Sequence, residues 1–78
     1  MSKKKFYSES DLAALAKKFR LKAGKSKETA AIELNVVRPS VQLAEENPEQ
    51  SLTKLRKRII EKYSLYKVVG PVYWLENK

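Results

Sequence analysis

Pro39 and Asn35 divide the stretch 26–47, SKETAAIELNVVRPSVQLAEEN, into two parts that cannot be one continuous helix. Proline fits an α-helix only in its first turn, where no intrahelical N–H bond is lost, so a helix starts near Arg38. Upstream, the Ser26 hydroxyl can accept from a first-turn N–H and Glu28 places negative charge at the positive helix end, so another helix begins at about Lys27. Its Ala30, Ala31 and Leu34 fall at i, i+1 and i+4, one apolar stripe, and the small Ala31 admits a close helix crossing. Asn35, which tolerates left-handed dihedrals better than most residues with a Cβ, stands where the chain must reverse, and Val36 plugs the turn. The spacing therefore predicts two short helices joined by a tight turn.

In the second helix Val41 and Ala44 lie three apart and can pack back on Ala31 and Leu34. That leaves Arg38, Pro39, Gln42 and Leu43 near the outer face, which can enter a DNA major groove. There Arg favours guanine, Gln favours adenine, and Leu43 can touch a thymine methyl. Glu45 and Glu46 need separate treatment, since acid near DNA is repelled unless it is paired internally or accepts from cytosine.

Seventy-eight residues form one small domain, which buries about 60–65% of its unfolded surface and leaves little stability in reserve, so dimerisation would help. The sequence has no Cys and no His, which removes disulfides, thiolate sites and the common zinc and triad arrangements. Its two Gly cannot write a Walker loop or a dinucleotide fingerprint. An enzyme, a metal and a cofactor are therefore not expected. No apolar run approaches the ~18 residues that span a bilayer, and MSKKKFYSES has no apolar signal core behind its lysines, so a cytoplasmic chain with no membrane partner is expected. Seventeen Lys and Arg against nine Asp and Glu give a net charge of +8, with +6 on residues 1–30, −3 on 31–50 and +5 on 51–78. Such a balance suits a phosphate backbone.

Residues 1–7 read as a basic flexible arm that Phe6 and Tyr7 can tether. A domain over 8–63 follows. Ser8 or Ser10 caps a helix running to about Lys22, with Leu12, Leu15, Ala16 and Phe19 at core spacing and Gly24 just past its end. After the loop at 47–50, Ser51 caps a last helix with Leu52, Leu55, Ile59 and Tyr63 on its apolar stripe and Lys54, Lys57, Arg58 and Lys62 on its other face. The extension 64–78 contains YKVVGPVYWL, β-branched and aromatic, split by Gly70-Pro71 into one kinked strand or two short strands around a turn. An apolar strand left unpaired would aggregate, and pairing with a second subunit about a twofold axis is the simplest escape. Val68, Val69, Val72, Tyr73, Trp74 and Leu75 are then expected at a dimer interface. Its aromatic rings read as core and interface rather than as platforms for single strands, which need several strands.

KSKETAAIELNVVRPSVQLAEEN resembles the string LSQEELAxxLGVSxxxISxxENG of the lambda-repressor and Cro-like (XRE-family) helix-turn-helix regulators. Phe19-Arg20 and Gly24 also sit where that family carries Leu-Arg and Gly. Within the family the closer likeness is to HipB-type antitoxins, from the FYSESDLA opening through EENPEQSLTKL to the apolar tail. The resemblance implies an all-α, lambda-repressor-like bundle with a C-terminal β-strand extension used for dimerisation, binding duplex DNA as a homodimeric transcription regulator, most often a repressor. It implies an internal pair between Arg20 and Glu45, and phosphate contacts from Lys27, Ser40 and Lys54. Val37, Arg38, Pro39, Gln42, Leu43 and Glu46 complete the expected DNA-facing set. The alternative, which Leu43, Glu45 and Glu46 support, is an antitoxin or adaptor whose helix-turn-helix is a relic and whose α-helical face meets a protein such as a toxin partner. Three positions depart from the pattern: Asn35 replaces Gly, Val37 replaces the Ser or Thr cap, and Leu43 takes a place usually polar. Losing a side-chain cap costs about 1 kcal/mol, which weakens the second helix start without forbidding it.

Overall fold

A computed structural model describes residues 6–70 and 73–78. The elements run α1 (Glu9–Lys22), α2 (Lys27–Leu34), α3 (Arg38–Glu46), α4 (Thr53–Tyr63), β1 (Tyr66–Val69) and β2 (Trp74–Asn77). Local chemistry sets most of these limits. The Ser8 hydroxyl accepts the Asp11 N–H while the Asp11 carboxylate accepts the Ser8 N–H, a reciprocal capping box that starts α1. Gly24, at φ 73°, ends it: the Gly24 N–H donates to Leu21 and the Lys25 N–H donates to Arg20, closing the last carbonyls of the helix. Ser26 caps α2 through the Thr29 N–H, and Asn35 stops it in the left-handed region at φ 58°, ψ 46°. Val36 then packs on the core, and α3 opens at Val37 with no side-chain cap and Pro39 in its first turn.

The core gathers Leu12 and Ala16 of α1, Ala30, Ala31 and Leu34 of α2, Val41 and Ala44 of α3, and Leu55, Ile59 and Ile60 of α4, closed by Val68 of β1. Burying a Leu, Ile or Val side chain contributes about 1.5–3 kcal/mol, and α1 against α4 is the principal packing. Among the described residues no helix is long and apolar enough to cross a membrane.

Two expectations are corrected. The last helix is not capped by Ser51: its N-cap is Leu52, without a side-chain bond, and the Thr53 hydroxyl donates instead to Glu9 Oε2 at 2.7 Å. The anchor to α1 sets where α4 begins. Nor does the tail rely on a second subunit for its strand partner. β1 and β2 pair antiparallel within the chain, Val68 opposite Leu75 and Val69 opposite Trp74. The Glu61 carboxylate accepts the Val68 N–H on the side of β1 away from β2, and the Tyr7 N–H donates to the Tyr73 carbonyl at 2.8 Å. The Val68 N–H and the Tyr73 carbonyl are thus met within the chain. Val68 is buried in the protomer's own core, where it was expected at an interface, and Tyr73 and Leu75 pack against that core too. Val69 and Trp74 stay half-buried, with the Phe6 ring edge-on to Trp74 at 6.1 Å; Val72 lies outside the described residues, as do residues 1–5 of the expected arm. A Cβ at Gly70 would lie 2.7 Å from the Tyr73 ring, so any side chain there would force that ring to move.

Candidate nucleic-acid interface

α3 is amphipathic in the sense the spacing predicts. Val41, Ala44 and Glu45 face inward, whereas Arg38, Pro39, Gln42, Leu43 and Glu46 are exposed. Arg38, Gln42 and Glu46 follow one another at i, i+4 and i+8, so they form a single row along the helix. Beside that row Val37 is 66% exposed and Leu43 37% exposed, two apolar side chains among the polar ones. A shallow depression lined by Arg38, Pro39, Gln42 and Leu43 marks the same face.

Buried charge fixes the helix behind this face. Arg20 grips Glu45 with two hydrogen bonds, Nε to Oε2 at 2.6 Å and Nη2 to Oε1 at 3.0 Å, and its Nη1 donates to the Lys25 carbonyl. The pair implied by the resemblance is therefore present, and its geometry is bidentate. A second buried arginine does comparable work and was not anticipated. Arg56 donates from Nε to the Ala44 carbonyl at 2.8 Å, from Nη2 to the Asn47 carbonyl at 2.7 Å, and from Nη1 to Glu9 Oε1 at 2.7 Å. Arg58, two residues on, donates to the Leu34 carbonyl. Neither α2 nor α3 carries a basic residue in its own last turn, so α4 supplies from outside the donors that their C-terminal carbonyls need.

Arg56 was legible in principle. It lies in the row Leu52, Leu55, Arg56, Ile59, Ile60 and Tyr63, inside the apolar stripe once that stripe is allowed its full width. Glu9, its partner, gives no signal of its own.

Of the residues expected near phosphate, Ser40 and Lys54 line one groove between α3 and the start of α4, with Val36 and Arg58. Lys27 is elsewhere engaged: its Nζ donates to Glu46 Oε2 at 2.6 Å, joining the first residue of α2 to the last of α3. Lys27's hydrogen bond and charge hold the Glu46 carboxyl below the ordinary carboxylate range. At the back of the domain Tyr63 donates to Glu33 at 2.6 Å and Lys25 donates to it at 3.1 Å, which lowers Glu33 in the same way. Burial, then the bond to Glu33, raises the Tyr63 phenol above its usual value. Among the described residues no three acids converge as a metal site would require. No family model, curated protein or solved structure matches the chain.

Proposed function

We propose that the protein is a sequence-specific double-stranded DNA-binding regulator of transcription, built as a lambda-repressor-like helix-turn-helix domain with a C-terminal β extension. It works in the cytoplasm as a homodimeric repressor, occupying a near-palindromic operator on the nucleoid. The observation that carries this reading is the exposed row of α3, where Arg38 and Gln42 stand one turn apart on a helix whose opposite face is locked into the core. Those two side chains match guanine and adenine edges, and Ser40 with Lys54, in the groove between α3 and the start of α4, would meet a phosphate. In the dimer two copies of α3 enter successive major grooves about 34 Å apart. Val69 and Trp74, two half-buried residues of the hairpin, would join the subunits.

Selection of duplexes from a random pool at two salt concentrations tests this. An enriched palindrome with half-sites about ten base pairs apart, and a log–log salt slope near −0.9 per neutralised phosphate, is expected. Binding that only fades with salt, without enrichment, would overturn it.

Val37 and Leu43 favour a second reading, an antitoxin or adaptor module that uses the same face on a toxin or other protein partner. Leu43→Arg separates the two, because it damages a protein contact yet preserves or strengthens attraction to phosphate. Both roles can coexist in an antitoxin that represses its own operon.

A further inference from the structure

Glu46 is the last member of the exposed row that begins with Arg38 and Gln42, so a carboxylate stands on the face that would meet a polyanion. Among the described residues its one ion-pair partner is Lys27, at 2.6 Å. Neither member is sequestered: the Lys27 side chain is 21% exposed and the Glu46 side chain 42%, unlike the closed Arg20–Glu45 pair at 5% and 0%. An exposed ion pair of this kind is weak and is screened by salt, so a phosphate can compete for its lysine.

We propose that Glu46 is an affinity-setting residue that competes with the DNA backbone for Lys27. With Glu46 in place, the lysine is satisfied inside the protein and adds little to counterion release. Docking must either leave it there or break a charge-assisted bond and expose a carboxylate to the duplex. Because phosphate carries no sequence information, this competition lowers affinity for all duplexes alike and leaves the choice of operator to Arg38 and Gln42. The inference rests on the DNA-binding reading above and adds to it a built-in limit on nonspecific occupancy.

Three variants, Glu46→Gln, Lys27→Gln and the double substitution, test it through duplex affinity measured from low to high salt. Melting of each variant is followed alongside, so that a folding defect is seen directly. Glu46→Gln frees one cation. Its salt slope should steepen by about 0.9, so its affinity relative to wild type changes about eightfold per tenfold change in salt. The gain should be the same on selected and on scrambled duplexes. Lys27→Gln and the double variant should both keep the wild-type slope, since neither presents a free lysine.

An unchanged slope for a folded Glu46→Gln would overturn the proposal while leaving the DNA-binding reading intact. Weaker binding of that variant only to duplexes with one particular cytosine would also overturn it, making Glu46 a base reader instead. If neither wild type nor any variant binds a duplex, the inference and the functional reading fall together.

Discussion

Replacing Arg56 with Met removes the charge and three hydrogen bonds at 2.7–2.8 Å while keeping a long side chain in the apolar stripe of α4. The loss is unequal across its partners. A buried acceptor left unpaired costs about 1–3 kcal/mol, and the Ala44 carbonyl, on a fully buried residue, takes the most; Asn47 is half-buried and can partly rehydrate. Glu9 has a side chain 35% exposed, so its lost ion pair is discounted to the surface value of about 0–1 kcal/mol. Together these give about 3–5 kcal/mol, the range for breaking a buried pair by deleting one member.

A domain of 78 residues has about 4–12 kcal/mol in all, so the variant should lose a quarter or more of its stability. In a thermal melt that is a fall of about 12–40 °C. Glu9→Gln, which keeps the shape and a hydrogen-bonding oxygen, should cost about 1 kcal/mol or less. Lys62→Met, on the exposed face of the same helix, should stay within about 0.5 kcal/mol of wild type. Amide exchange in the last turn of α3 should accelerate in Arg56→Met, because the carbonyls it held have lost their donor. An Arg56→Met melt that overlaps the Lys62→Met melt would refute the assignment of Arg56 as the clamp on α3.

Glu45→Ala should lower the melting midpoint far more than Glu46→Ala, since it strands the buried Arg20, a loss of about 3–5 kcal/mol; equal midpoints would contradict that. For Tyr63, the folded state holds the phenol proton more tightly than the unfolded chain, so its contribution is complete below the unfolded value near pH 10 and is lost as pH rises toward the folded one. Ultraviolet titration should therefore show one of the four tyrosines ionising last, and Tyr63→Phe should remove that late phase. Trp74→Asp should run as a monomer in sedimentation where wild type runs as a dimer; a wild-type monomer at high concentration would refute the homodimer.

The helices were legible because each is specified locally. Ser8 and Ser26 cap, Gly24 and Asn35 stop, and Pro39 allows only one start for α3; every one of these acts within a few residues of itself. The exposed row of α3 followed from periodicity alone. What stayed hidden depends on partners distant in sequence. The Arg56 guanidinium meets Glu9 47 residues away, and no local pattern marks Glu9 as its counterpart. The hairpin was half legible: Gly70-Pro71 allowed a turn, but the partners that meet the Val68 N–H and the Tyr73 carbonyl, Glu61 and Tyr7, lie outside the tail. Ser51 misled because a good capping residue one position too early is overridden when Thr53 and Arg56 are both tied to Glu9.

Charge separates chain order from space in the same way. Along the sequence α3 holds one arginine and two glutamates, which by itself would repel a polyanion. In the fold Glu33, Glu45 and Glu46 meet Lys25, Arg20 and Lys27, all drawn from the basic segment before residue 31. The acidic middle is thereby cancelled, and among the described residues Arg38 has no ion-pair partner. Adjacent glutamates then play unlike parts. Glu45 is closed to water, so neither salt nor phosphate can reach its arginine, and changing it alters the fold. Glu46 is open, so ionic strength and a duplex can both act on its lysine. On the DNA-binding reading proposed above, the charge that α3 would present to a duplex is consequently adjustable at Glu46 and fixed at Glu45.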